Sequence, residues 1–264
     1  MSVVVGSGAE TPQNARLLYE SVFDDGTITV SSQTSDGAGA NALEDTTFDF
    51  WTPVAGSGEI RVDRGSDFAC DTVGFAAHNM GTNGTNMRVQ YSDDESNWIT
   101  AISFDPLTDE TIMGCFEEVS ARYWRVRGVG SGDYSIGVVK LGKALIMPSG
   151  VLTGHVGINH AKRVELLTNR SVRGQFLGNR VRRVGADANL NFGLIDSDFV
   201  ENDMAMFEDH YNDGRTFFYA GSPSEYPDDY GYCYRGSGNN EMRPSYQEGG
   251  VLMNVQLDVQ VYVE

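Results

Sequence analysis

The chain has 264 residues and a formal net charge of −18 at pH 7. A balance that acidic repels nucleic acid and anionic membrane surfaces, so neither is expected as a partner. The N-terminus lacks the basic, apolar and small-residue succession of a secretion signal, and no run is long and apolar enough for a transmembrane helix. With 31 glycines, only 7 prolines and many Asn, Asp and Ser between short apolar alternations, the composition predicts strands joined by tight turns, an all-β fold.

Residues 1–15 read as an extended arm, with a strand expected within residues 2–5. The turn Asp24-Asp25-Gly26 leads into a strand at 27–31, and 35–42, rich in Gly and Ala, reads as a loop. Alternation then organises residues 60–65 and 73–79. Met87, Val89 and Tyr91 point one way and Arg88 and Gln90 the other, before the polar turn 92–97 and Trp98. In 121–127, Trp124 and Val126 share one face, while Tyr123, Arg125 and Arg127 share the other. A strand at 136–142 closes this half, and 143–150, containing Pro148, is the expected boundary. The domains expected are thus an arm over 1–15, a β-sandwich over 16–146 and a β-rich assembly domain over 147–264.

In the second half Lys162, Arg163, Arg170, Arg173, Arg180, Arg182 and Arg183 crowd a segment whose one carboxylate before Asp187 is Glu165. Guanidinium groups suit fixed interfaces, so a partner or a second acidic copy is one reading; a solvated strand face is the other. The segment 199–211 is the one helix expected, 216–220 an aromatic strand and 221–250 a long polar loop. The last residues, 251–264, alternate best, with Val255, Leu257 and Val259 on the apolar face; at about 3.3 Å per residue they predict a strand of roughly 45 Å. Such a strand either joins another subunit or lies centrally in its own sheet.

Catalytic patterns are missing: His78, His155, His160 and His210 are scattered, without H-E-x-x-H, G-x-S-x-G or a P-loop. The carboxylate groups Asp196, Asp198, Glu201, Asp203 and Glu225, Asp228, Asp229 read as solvated loops before they read as a glycosidase pair. Cys70, Cys115 and Cys233 have neither disulfide nor zinc spacing, and the first two sit in apolar strands as free thiols. Asp24, Asp25, Asp93, Asp94 and Glu95 offer oxygens without the spacing of a calcium loop, so no metal or cofactor is expected.

Four pieces occur in one order: Ile60-Arg61-Val62-Asp63-Arg64-Gly65, the strand over 73–79, the turn Ser92-x-Asp94 leading to Trp98, and Ala121-Arg122-Tyr123-x-Arg125. This order resembles the discoidin family, the F5/8 type C domain, over roughly residues 10–145. The resemblance implies a small antiparallel β-sandwich that binds glycans, lipid head groups or protein surfaces and is not itself an enzyme. It also implies that the connections 36–49, 52–58 and 79–86 meet at the ligand end. There Asn79, Asn83 and Asn86 would offer amides to sugar hydroxyls and Trp51 a flat face. The competing reading makes Asn83-Gly84 a hairpin turn and Trp51 a core residue. The phrase Ser120-Ala121-Arg122-Tyr123-Trp124-Arg125, with Ile136-Gly137 and Leu141-Gly142, resembles the module as tailed-bacteriophage proteins carry it. That implies a virion tail protein, made in the host cytoplasm, whose partners are other copies, other tail proteins and a host-surface glycan. A free lectin or adhesion module is the alternative, and a glycan-degrading enzyme the third reading.

Overall fold

The computed structural model describes residues 3–6, 9–130, 132–152, 155–236, 238, 240–247 and 249–263, with backbone alone at 183 and 184. The chain runs through β1 (Val4–Val5), β2 (Arg16–Leu18), β3 (Thr27–Val30), β4 (Ser57–His78), β5 (Asn86–Ser92), β6 (Ile99–Phe104), β7 (Ile112–Val129), β8 (Ile136–Gly142) and β9 (Leu145–Ile146). It continues through β10 (Lys162–Arg170), β11 (Phe176–Asp196), α1 (Ser197–Asn202), α2 (Ala205–Asn212), β12 (Phe217–Ala220), β13 (Tyr230–Tyr234), β14 (Ser245–Tyr246) and β15 (Leu252–Val261). The fold is all-β, built as two sheets with short helices on the second.

The first sheet has the order β3-β4-β7-β5-β6, with β1 added to β7 and β8 to β4. Its long strands β4 and β7 each serve both layers of a sandwich. The first part of β4 pairs Asp63 with Tyr123; after a break in register, Phe68 pairs with Ala121 and the rest runs on to Phe75 opposite Ile112. Phe116 and Trp124, eight residues apart on β7, have ring centroids 6.3 Å apart. A straight strand would separate them by about 26 Å, so β7 folds over and its apolar faces close on one another. The core between them holds Ile60, Val62, Val73, Phe75, Val89 and Trp124, all fully buried.

The second sheet has the order β10-β11-β15-β13-β12-β2-β9, with β14 on β15. Its membership crosses the division read from the sequence, because β2 and β9, which flank the first sandwich in the chain, both belong here. A third apolar cluster joins the two halves, with Ala76, Met113 and Val138 meeting Leu18, Phe218 and Tyr232. Gly74 lies under the Phe218 ring so closely that a Cβ there would sit 2.5 Å from Cγ. Arg16 bonds Asp71 across this joint at 3.4 Å, and Lys140 bonds Asp45 at 2.7 Å. The Asp45 carboxyl is held below its ordinary value: burial pushes it up, but the Lys140 ammonium and the Thr216 amide and hydroxyl outweigh that.

Several expectations change here. The single helix becomes two, interrupted at Asp203 and Met204, because Val200 and Met204 must both reach the core beside Phe207. The polar stretch 221–250 contains β13 and β14. The expected strand within 2–5 is Val4–Val5, with Ser2 outside the described residues, as is Glu264 at the other end. The terminal strand is central: β15 pairs with β11 on one side and β13 and β14 on the other. Its apolar face, Val255, Leu257 and Val259, is buried in its own sheet's core, so these three are not an assembly surface. The alternation was real, but what covers it is α1 and α2 of the same chain. Cys70, Cys115 and Cys233 are free and buried.

Candidate ligand-binding site

The pieces that carried the family resemblance are scaffold. Asp94 Oδ1 accepts the backbone N–H groups of Ser96 at 2.9 Å and Asn97 at 2.8 Å, closing the turn, and these amide donors hold the carboxyl well below the ordinary carboxylate range. Trp98 follows on the turn and lies beneath the Arg125 guanidinium, 4.1 Å from ring centroid to Cζ. Arg125 also reaches Gln90 and Glu59. Arg122 grips Asp63 with two bonds of 2.7 and 2.8 Å, which with the Gly65 amide lower the Asp63 carboxyl to about 2. Trp124 is buried, its indole N–H shared between the Phe68 and Ala121 carbonyls.

Connections meet at the opposite end of the sandwich. Trp51 pairs with Ile136, and Gly130 N–H donates to the Gly56 carbonyl at 2.8 Å. A Cβ on Gly56, whose φ is 64°, would lie 2.4 Å from the Gly132 carbonyl oxygen, so the 54–56 turn touches the 130–135 loop backbone to backbone. The 79–86 loop joins them through Asn79, whose Oδ1 accepts the Ser135 amide at 2.6 Å. The 105–111 loop is tied on by Asp109, which accepts both the amide and the hydroxyl of Thr82. The 36–49 connection divides its roles: Asn41 donates to the Phe50 carbonyl near this end, while Asp45 is committed to the joint with the second sheet.

Trp51 is 0% exposed, with its indole N–H donating to the Ser32 carbonyl at 2.9 Å and its face meeting Tyr134 edge-on at 5.8 Å. It is a core residue, and its place as a sugar platform is corrected: an indole at the base of converging loops holds them by filling the space between them. Asn79 spends its carbonyl on Ser135, and Asn83 donates to the Asn79 backbone at 2.9 Å, so both hold the loop. Asn86 is partly exposed, bridging Asp105 and Arg88. The exposed aromatic is Phe48, three residues before Trp51 and 72% exposed. It lies on a loop outside any alternation, so no sequence pattern marks it. Exposed Gln33 and Ser35 supply polar groups, and Val30, Ser31, Ser32, Gln33 and Val54 line a shallow hollow of about 650 Å³. His78, buried beneath the 79–86 loop, accepts the Met80 amide on Nδ1 at 3.4 Å, and burial lowers its pKa to about 4.

The carboxylate groups sit elsewhere. Asp196 caps α1 by accepting the Asp198 amide at 2.8 Å, with Asp198, Glu201 and Asp203 exposed around it. Asp229 is buried, bonded to His155 Nε2 at 2.8 Å and to the Ile158 amide at 2.7 Å, so it fixes the 155–158 segment. Together with Glu225 and Asp228 it lines a hollow of about 930 Å³ in the second half. Among the described residues no group of three or more His, Cys, Asp or Glu is placed to hold a metal ion, and no helix is long and apolar enough to cross a membrane. Arg163, Arg170, Arg173, Arg180 and Arg182 are all exposed on a projecting hairpin of β10 and β11; the Arg183 side chain lies outside the described residues.

Residues 27–139 match the F5/8 type C domain, so the N-terminal sandwich carries a discoidin-like module. Solved structures resemble the same half. CpGH89CBM32-5 of Clostridium perfringens, in complex with GalNAc-β-1,3-galactose, is 14% identical over 44% of this chain and 94% of its own, with a TM-score of 0.39. Chitosan-binding module 1 of a chitosanase/glucanase from Paenibacillus sp. IK-5 is 23% identical over 44% of this chain and 93% of its own, with a TM-score of 0.37. No curated protein matches the chain.

Proposed function

We propose that this protein binds a glycan through the loop end of its discoidin-like module and acts by holding that ligand, without turnover, while its second half joins other proteins of a bacteriophage tail. The glycan reading is supported by the F5/8 type C match over residues 27–139 and by the exposed Phe48 on the 36–49 connection, one of the connections that the resemblance implies at the ligand end. A pyranose needs a flat apolar contact for its C–H face and amide or hydroxyl partners for its rim; exposed Phe48 offers the first type of group and exposed Gln33 and Ser35 the second. The place in a tail is supported by the form of the 120–125 segment and by an exposed basic element on an otherwise acidic chain. The test is a glycan array on the full chain, followed by calorimetry with the best sugar and with Phe48→Ala. Loss of about tenfold in affinity, roughly 1.4 kcal/mol, is expected for that variant. An array on which nothing is retained overturns the glycan reading, and unchanged affinity in Phe48→Ala moves the site away from this end.

A further inference from the structure

The hairpin of β10 and the first part of β11 stands clear of its sheet. Pairing of β11 with β15 begins only at Ala186, so from Val184 outward its one neighbour is β10, and all nine residues of β10 are exposed. A lone two-stranded hairpin is marginal in water, yet this one is two-faced. Cross-strand partners share a face, and Val164, with the pair formed by Leu166 and Val181, puts an apolar stripe on one side, extended by Phe176 near the tip. Leu166 is 49% and Phe176 66% exposed. The other face carries Arg163, Glu165 and Arg180 with one apolar exception, Leu167. Among the described residues, Arg170, Arg173 and Arg180 pair with no carboxylate.

Charge identifies the partner. Residues 162–184 contain seven Lys and Arg against one Glu, a net +6, so the remaining 241 residues carry −24 against a total of −18. Like-charged arms repel one another; the acidic body of another copy attracts them. A complementary surface lies at the far end of the same strand, about 33 Å beyond Val184 at the usual rise. There Leu194, 61% exposed and held at a φ of 57°, adjoins the bulge before Ile195. At the same end Val251, whose carbonyl accepts the Ser197 amide at 3.0 Å, and Tyr246, whose hydroxyl donates to Glu201 at 2.9 Å, are exposed. Asp198, Glu201 and Asp203 are exposed on α1 and at its C-terminal end, next in the chain to Leu194. The arm points away from its own patch, so no chain satisfies itself.

We propose that the β10–β11 arm of one copy lies on the α1 end of β11 of a second copy, apolar stripe against Leu194, Tyr246 and Val251, with Arg170, on the face of that stripe opposite Phe176, and Arg173 at the tip meeting Asp198, Glu201 and Asp203. This rests on the assembly part of the reading above and is independent of the glycan part. Arm on patch is satisfied reciprocally in a two-fold pair of copies or head-to-tail in a ring or filament, and each of these exceeds the mass of one chain.

The test is sedimentation of the full chain at increasing concentration, with circular dichroism to confirm folding. Wild type is expected to grow beyond the mass of one chain, more weakly as salt rises. Leu166→Ser with Phe176→Ser, both exposed positions, is expected to sediment as one chain. Arg170→Glu with Arg173→Glu, and separately Glu201→Lys with Asp203→Lys, are each expected to do the same, and mixing these two charge-reversed proteins to restore assembly. Wild type that stays monomeric at near-millimolar concentration overturns both this contact and the assembly reading. Wild-type assembly that survives the Leu166→Ser, Phe176→Ser change overturns the arm contact alone.

Discussion

Replacing Trp51 by Ala separates a core role from a ligand role at the one residue where the two readings conflict most. The indole is 0% exposed, meets Tyr134 edge-on at 5.8 Å and donates to the Ser32 carbonyl at 2.9 Å. Truncating a buried Trp to Ala costs about 3–5 kcal/mol, of which the aromatic pair supplies about 1 and the lost hydrogen bond about 1. Trp51→Phe keeps most of the apolar burial but leaves the Ser32 carbonyl short of a donor, so it is expected to cost about 1–2 kcal/mol. Phe48→Ala removes an exposed ring and is expected to stay within about 0.5 kcal/mol of wild type. Urea unfolding followed by far-UV circular dichroism reads all three, since only backbone signal is free of the change in tryptophan content. A Trp51→Ala loss below about 1 kcal/mol together with abolished sugar binding would refute the core assignment and return Trp51 to the ligand end.

His78 makes stability depend on acid. Its pKa falls from 6.5 to about 4 because burial disfavours the charged ring. The unfolded chain therefore binds the extra proton first, so stability is complete above pH 6.5 and drains as pH falls toward 4, by at most about 3 kcal/mol. His210, lowered for the same reason, adds in the same direction; urea midpoints that stay flat between those pH values would contradict this. Arg122→Ala is expected to let Asp63 titrate well above its present value of about 2, as carbon-detected NMR of the carboxyl would report. Gly74→Ala drives a Cβ to 2.5 Å from Phe218 Cγ and should cost about 1–3 kcal/mol by calorimetry, with loss of the joint between the sheets.

What the sequence made legible follows from where period and turn chemistry act locally. The alternation Met87, Val89, Tyr91 and the turn closed by Asp94 are set by nearest neighbours, so both could be read without the fold. Val255, Leu257 and Val259 show the limit of the same signal. Alternation says that a face is covered but not by what, and here the cover is α1 and α2, residues some fifty positions earlier. Trp51 was ambiguous for the same reason, because its burial depends on Ile136 and Tyr134, far along the chain. Phe48 left no pattern at all: an exposed ring on a loop packs against nothing, and a residue with no periodic neighbours gives no signal.

The joint between the sheets bears on how the two halves work together. Were the module tethered by a linker, as the boundary at 143–150 suggested, it would sample orientations freely. Instead β2 enters the second sheet before the sandwich begins and β9 returns to it immediately after β8 ends. Both ends of the module are thus clamped to one sheet, and Arg16 with Asp71, and the Thr216 amide and Tyr232 hydroxyl on Asp45, pin the faces between them. Breaking a largely buried pair such as Lys140 with Asp45 is costlier than losing a surface pair, because the remaining charge has no water to turn to. The loop end is therefore held at a set angle to the β10–β11 arm. If the proposed arm contact closes copies into a ring and the proposed site binds glycan, every such site faces one direction, and on a surface that displays many glycans the sites act together through avidity.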